Sequence, residues 1–564
     1  MVFRRMAAAA AAVLVLVHLT AYSASGWIAR ALLARRTLDG ERQTPEQWTA
    51  LLHDIVLRSG VVLGLVLAAV LALVANGRTR GALAALYRAE DSPRRLGVFR
   101  AIFFFYILFA FDPEQTLLFA RLPPALIRGL SDPLPLWRLI VPAPALSAVL
   151  VKVFLASTFF AAIGLFTRVS ALGVAGLGFY LLGLPQIFGK VNHSHHLLWF
   201  ALILGLAPSG DGFGVDAWVR ARLRAPAPPA RARAYALPLR VIWILIGVIY
   251  FWPGFWKLVQ HGPSWVLPEN FRGHLYLRWF EDEGFSPLFR IDRYPLLCTL
   301  GSCFTIFFEM SWIFLIPFRR TRWLAIAMGL AFHNMTAAIL NISFTSLQTC
   351  YAVFVDWDAV LGWLERRAGP RSSGALRRAA RALDARAGAL VRSVAAAPWA
   401  AAAARAAWRS RPSGAASLRA VQLAGALLFV GNMAYGAMHQ TDAWPFTCYP
   451  TFSTNIKHEH RTLYARIRSP VRGDRAVASA RAMRALRSER YAALLYGVVR
   501  EREPGRRQER LEALSTVLYE IDDSIRPGET IDIHEAVFST DPDDARRPRG
   551  DALVYSAQIG RGAR

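Results

Sequence analysis

Tyr250-Phe251-Trp252-Pro253-Gly254-Phe255-Trp256-Lys257-Leu258, with Trp265 eight residues beyond the lysine, closes an aliphatic and aromatic run that begins near Leu239. Such a run reads as a helix in hydrocarbon, since a core about 30 Å thick requires about 20 apolar residues. An ammonium group at its end is costly unless it is paired, reaches the interface or gives up its proton. Lys257 therefore has two readings. One is an interfacial anchor, a lysine beside tryptophans at a membrane boundary. The other is a base, made neutral by an apolar, aromatic wall.

The rest of the chain repeats the pattern. Its 564 residues are 54% hydrophobic, with a mean hydropathy of +0.31. Apolar runs fall at 7–25, 59–76, 97–112, 142–165, 170–188, 195–207, 239–258, 294–317, 323–342, 345–363 and 414–438. They predict a mainly α, polytopic transmembrane bundle of about eleven spans. The number becomes ten if the first run is a signal peptide, because Arg4 and Arg5 precede an alanine-rich stretch ending Ala21-Tyr22-Ser23-Ala24-Ser25. The sixth run is short and opens on His195-His196, which suits a partly embedded segment.

The formal charge of +27 comes from arginine clusters lying between apolar runs. That is the pattern of loops retained in the cytoplasm, and it argues against nucleic acid as a partner. With Arg4 and Arg5 inside, alternation collects the clusters of 77–96, Arg168, 208–238, Arg319-Arg320-Thr321-Arg322 and 364–412 on one side. The N-terminus is then cytoplasmic and the tail from about 440 periplasmic, in a bacterial inner membrane. Three regions result: a hairpin with a basic loop over 1–93, a main transmembrane domain over 94–440 containing the Arg/Ala-rich linker 364–412, and a small periplasmic domain over 441–564. In that tail, period-two alternation at 461–467, 530–533 and 553–556 predicts strands, and the spacing of 475–500 and 509–519 predicts helices. The tail is thus a small α+β domain. Cys298, Cys303, Cys350 and Cys448 form no CxxC pair and allow one or two disulfides in an oxidising compartment.

Several polar groups interrupt the apolar runs or sit at their outer ends: Asn192-His193-Ser194-His195-His196, Glu309, His333-Asn334, Asn341 and Lys457-His458-Glu459-His460. Alternation carries most of them, with Lys257, to one membrane face. Each also has a structural reading. The histidines suit buried hydrogen bonds or the outer-domain surface, and Glu309 suits a pair with Arg100 or another buried donor. A zinc or iron site from His193, His195, His458 and His460 lacks a carboxylate or cysteine at a supporting spacing, so no metal is assigned.

The ordered set of motifs resembles the vitamin K-dependent γ-glutamyl carboxylases. It comprises Arg94-Arg95-Leu96-Gly97-Val98-Phe99-Arg100, Val191-Asn192-His193-Ser194, Tyr250-Phe-x-x-Gly254-x-x-Lys257-Leu-x(6)-Trp265, Phe332-His333-Asn334, Asp356-Trp357 and His458-x-His460. The resemblance spans roughly 94–468. The same module is widespread in bacteria as the horizontally transferred transmembrane (HTTM) domain.

This resemblance implies an integral membrane carboxylase, a carbon–carbon lyase that couples epoxidation of a reduced quinone to carboxylation of glutamyl side chains. Vitamin K hydroquinone or menaquinol, O2 and CO2 would be the co-substrates. A glutamate-containing peptide or protein would be the acceptor, and lipid and an isoprenoid quinone the other partners. Lys257 matches the base, and Asn192 and His193 match residues of the same site. His333, Asn334, His458, His460, Glu309 and Arg100 are candidate supports. Trp252, Phe255, Trp256 and Trp265 would wall the lysine and offer a surface for a flat quinone ring. The chain departs from the animal enzyme at Trp256, where a second lysine stands there, in its small outer domain, and in the extra segment before Arg94. The alternative is an HTTM protein without carboxylase activity that binds quinone or lipid and a periplasmic partner. A transporter is the weakest reading, since no inverted repeat is visible.

Overall fold

The computed structural model describes residues 12, 15–27, 45–130, 134–189, 194–223, 226–281, 285–367, 414–439, 441–448, 452, 459–469, 471, 473, 475–476, 485–486, 488–522, 524–544 and 549–559. After helical residues 15–27 come α1 (Pro45–Ala75), α2 (Gly77–Arg88), α3 (Pro93–Ala110), α4 (Pro113–Arg121), α5 (Pro144–Ile163), α6 (Thr167–Leu181) and α7 (His195–Leu206). The chain continues through α8 (Val215–Arg222), α9 (Arg233–His261), α10 (Pro268–Glu281), α11 (Pro295–Leu315), α12 (Arg319–Leu340), α13 (Thr345–Thr349), α14 (Trp357–Arg367) and α15 (Gly414–Ala437). The tail carries strands β1 (Glu459–Arg468), β2 (Arg475–Ala476), β3 (Thr530–Ser539) and β4 (Gly550–Gln558), with α16 (Ser488–Val499) and α17 (Pro504–Ile521). Proline occupies the first turn of α3, α4, α5, α11 and α17, where its missing N–H costs no helical bond. Ser92 and Asp112 cap α3 and α4 by accepting from the amides of Arg95 and Gln115.

Among the described residues, seven helices are long and apolar enough to cross a membrane, or eight if the bent pair α3–α4 is one span. Among these residues fewer helices qualify than the eleven runs expected, and hydropathy alone does not register why. The 195–207 run yields α7, whose 12 residues reach about 18 Å at 1.5 Å per residue, against the roughly 30 Å required. All but two of its residues are buried, so it is apolar because it is enclosed by protein. The 345–363 run breaks into α13, a 3-10 turn at Cys350–Phe354, and α14. The 97–112 run bends by 56° between α3 and α4, and the 7–25 run lies only partly within the described residues. By contrast, none of the apolar window of α1 is buried, as suits a helix whose solvent is lipid.

The described chain forms two compact units. The first comprises 1–87, 249–341 and 450–458. Its N-terminal part joins the end of α9 through Arg58, which donates to the Gln260 carbonyl at 2.7 Å, while Tyr22 stacks on His53 at 4.1 Å. Trp279 on α10 donates to the Ile339 carbonyl of α12 at 2.7 Å. Before α11, Asp292 accepts two bonds from Arg290 at 2.9 and 2.8 Å and one from Tyr276.

The second unit comprises 88–248, 342–449 and 459–564. Asp216 accepts from the amides of Phe166 and Thr167 and from the Thr167 hydroxyl, pinning the α5–α6 turn at which Gly164 takes φ 74°. In the tail the sheet order is β2-β1-β3-β4, with antiparallel pairing throughout. Leu463, Ala465 and Ile467 on β1 and Ile531 and Ile533 on β3 are buried, the period-two signature of one covered face. Strands β1, β3 and β4 agree with those expected there, and α17 with the helix expected over 509–519. Of the helix expected over 475–500, Ser488–Val499 forms α16, but Arg475–Ala476 is strand β2, drawn into extended backbone by pairing with Arg466 and Ile467 of β1. The four cysteines are separate thiols.

Burial pushes the Asp292 carboxyl up, but the hydrogen bond and charge of Arg290 and the Tyr276 hydroxyl hold it below its ordinary value. A depressed carboxylate contributes stability above its unfolded pKa of about 3.9 and loses it as pH falls through the lower folded value. The thermal midpoint in detergent is therefore expected to fall on acidification below about pH 4. Asp292→Asn should lower the midpoint at neutral pH and flatten that acid limb, read by a pH series of melting curves.

Candidate functional site

Tyr250, Gly254 and Lys257 are spaced i, i+4 and i+7 along α9, which places them on one face. That face meets Phe308, Glu309 and Trp312 of α11. Gly254 sets the approach. A Cβ there would lie 2.9 Å from the Glu309 Cβ, 3.1 Å from the Met310 Cγ and 3.3 Å from Glu309 Oε2, so any larger residue would displace the carboxylate. Pro253, one residue earlier, removes a helical donor and leaves the Ile249 carbonyl without its i+4 amide.

With the helices this close, Lys257 Nζ donates to both Glu309 oxygens at 2.7 Å. The two side chains are 1% and 5% exposed. An anchoring lysine would send its ammonium to the headgroup layer; this one is enclosed and paired. Removing both charges from water costs several kcal/mol per ion, which only good geometry repays. Two short charge-assisted bonds on one carboxylate supply that geometry.

Trp265 completes the enclosure, with its ring centroid 5.3 Å from Lys257 Nζ. The ring is fixed from both sides: its Nε1 donates to the Phe452 carbonyl at 2.8 Å, and the Trp265 carbonyl accepts from Asn270 Nδ2 at 3.0 Å. Asn270 Oδ1 is buried with no hydrogen-bond partner among the described residues. Two turns back, Tyr250 packs against Phe308 and Trp312 at 4.8 and 5.1 Å. Its hydroxyl lies 2.5 Å from His333 Nε2 on α12.

The other expected site residues divide clearly. Glu309 pairs with Lys257 and not with Arg100. Arg100 belongs to the second unit, donates to the Gly97 and Phe213 carbonyls and feels the charge of Asp216, so it fastens a turn. Of the four aromatic residues expected around the lysine, Trp265 faces it. Trp252, Phe255 and Trp256 stand on other faces of α9 at 100° per residue, in edge-to-face contact with one another. Asn334 is exposed and bonds back to the Leu330 carbonyl. Asn341 caps α12 with φ 51°, the left-handed position in which asparagine is tolerated. His195 is buried against Trp199 at 4.5 Å. His460 sits on β1 opposite Phe538, where burial lowers its pKa. Asn192, His193 and His458 lie outside the described residues. Among the described residues no group of three or more His, Cys, Asp or Glu is placed to hold a metal ion.

Sequence reasoning gave Tyr250 no role, although its i+7 spacing from Lys257 carried the signal. Glu309 was legible as a buried charge, but its partner was not.

Breaking a buried pair from one side leaves an uncompensated charge and costs about 3–5 kcal/mol, whereas replacing both charges with apolar groups is often near neutral. Lys257→Met and Glu309→Leu are each expected to destabilise by about that amount. The double variant should recover most of the loss, and Gly254→Ala should resemble the single variants. Denaturation of the detergent-solubilised protein measures the cycle.

Residues 87–358 match the HTTM domain family. No curated protein and no solved structure matches the chain.

Proposed function

We propose, from the premise that this is a multi-pass membrane protein containing an HTTM domain, that it is a carboxylase-like enzyme whose proton-handling centre is Lys257 with Glu309. The observation that carries the reading is the enclosed ion pair, set in a helix of spanning length beneath the Trp265 ring. A charge pair in such a place is expensive to keep, and intramembrane ionisable groups of this kind mark proton and ligand chemistry.

The surroundings fit a reduced isoprenoid quinone. Trp265 offers a flat apolar face, and Asn270 Oδ1 offers a buried acceptor for a hydroxyl. When bound, a reduced quinone such as vitamin K hydroquinone or menaquinol would supply, with O2, the oxidative drive for removing a glutamyl γ-proton ahead of CO2 addition. Lys257 can accept a proton only as a free amine. In the paired geometry that requires one ammonium proton to pass from Nζ to a Glu309 oxygen, which leaves the pair neutral and the amine lone pair available. Glu309 is thus the proton store and Lys257 the base, while the close packing of Gly254 and Trp265 excludes water that would quench the exchange. Tyr250 and His333 form a second polar contact on the same side of α9. Asn192, His193 and the His458/His460 pair keep their proposed roles through family resemblance. So does the orientation, with the N-terminus cytoplasmic and the tail periplasmic in a bacterial inner membrane.

One observation favours the alternative, an HTTM protein that binds quinone or lipid without carboxylation. Glu309 accepts from Nζ with both oxygens, which stabilises the ammonium and disfavours the free amine.

Lys257→Arg separates the two readings, because guanidinium preserves the ion pair but does not deprotonate. Under the enzymatic reading this variant inserts and folds but loses about 10²-fold or more of quinol epoxidation, the scale of general-base catalysis. The assay follows epoxide formation and labelled CO2 fixation by purified protein given vitamin K hydroquinone or menaquinol. Full epoxidation by the arginine variant would remove Lys257 as the base, and an inactive wild type with both quinols would favour the binding protein.

A further inference from the structure

The segment ahead of the HTTM match at 87–358 has no part in the quinol reading. Its long helix α1 buries none of its apolar window, so core packing does not hold it in place. Its specific contacts fall between His53 and Ser59 instead. Tyr22 stacks on His53 at 4.1 Å, and His18 Nε2 lies 3.1 Å from the Ser59 hydroxyl. Between those two braces stands Arg58, the last charged residue before the 59–76 apolar run.

Arg58 reaches the end of α9. One arm of its guanidinium donates to the Gln260 carbonyl at 2.7 Å, and the other to Asp54 at 2.9 Å. The last four carbonyls of a helix have no amide partner within it, and Gln260 is the next-to-last residue of α9. A cation there also meets the negative end of the helix dipole. Gly262, just past the helix, takes φ 57°, the left-handed conformation that suits glycine at a helix end. A Cβ at Gly262 would stand 3.7 Å from Arg58 Nε, so the arginine lies against that turn. The turn joins two walls of the ion-pair site, since Lys257 precedes it on α9 and Trp265 follows it. The 3-10 turn Gly262–Val266 carries the Trp265 ring to 5.3 Å from Lys257 Nζ. A shift of the chain over Gln260–Gly262 would therefore move the ring off the lysine.

We propose that Arg58 is a positioning residue of the Lys257–Glu309 site, through which the segment ahead of the HTTM domain fastens the turn that keeps Trp265 over the lysine. Arginine suits the task because its planar fork meets a carboxylate and a carbonyl at once. The inference rests on the enclosure of the ion pair and not on the quinol reading. Its test needs neither quinol nor oxygen, so either can fail alone.

The lysines of the chain are Lys152, Lys190, Lys257 and Lys457, few enough to follow one by one. Purified full-length protein in nanodiscs is treated with acetic anhydride, and the acetylation rate of each lysine is read by mass spectrometry. Acylation needs a free and accessible amine, so the Lys257 rate reports local opening of its enclosure. Arg58→Met should raise that rate about tenfold, the scale of one charge-assisted hydrogen bond. The rates at Lys152, Lys190 and Lys457 should stay at their wild-type values. Arg58→Lys, which keeps a cationic donor, should bring the Lys257 rate most of the way back to wild type. An unchanged Lys257 rate in Arg58→Met, a rise shared by all four lysines, or Arg58→Lys labelling Lys257 as fast as Arg58→Met would each overturn the assignment.

Discussion

A lysine enclosed inside a membrane-length helix must be given a countercharge, and the local structure around Lys257 answers that requirement. Glu309 supplies both oxygens at 2.7 Å. To reach them, α11 must come close to α9, and Gly254 permits the approach because no Cβ stands between the helices. Proline and glycine in mid-helix are costly by propensity alone. Here the glycine is required by packing, so the Pro253-Gly254 step is part of how the charge is housed. Trp265, held by its indole N–H and its carbonyl, closes the remaining side.

Much of this was legible in the sequence, and the parts that were not share a cause. The end of α9 was marked by its own composition, and the strands of the tail by strict alternation. The HTTM assignment rested on motifs in order, and it holds over 87–358. Two of the expected runs are not spans among the described residues, because hydropathy responds equally to burial in lipid and burial in protein. α7 is apolar on all sides because other helices surround it, and 345–363 is apolar but broken twice. Partners failed for a different reason: pairing depends on which helices touch. Glu309 and Arg100 were both recognisable as costly buried charges, yet each is satisfied by a different neighbour. Asn341, read as a polar intrusion, is a left-handed helix cap, which requires a backbone conformation that no spacing rule reveals.

The pair's chemistry turns on where one proton resides. Held as ammonium and carboxylate, Lys257 and Glu309 are a structural clasp joining α9 to α11. With the proton moved to Glu309 the same atoms become a neutral base beside a neutral acid, with no change in net charge. Both states suit an enclosed site, since neither leaves an uncompensated ion. A ligand that presents an acidic hydroxyl to the amine would draw the pair from the first state to the second, and the aromatic surroundings of Trp265 would shield that exchange from water.

Difference infrared spectroscopy, comparing reduced with oxidised menaquinone on the membrane-embedded protein, tests that claim most directly. The account predicts loss of a carboxylate band and gain of a protonated carboxylic acid band on quinone reduction, both absent in Glu309→Gln. A spectrum in which Glu309 stays ionised in both quinone states, with no band sensitive to Glu309→Gln, would contradict it and leave the pair as a clasp alone.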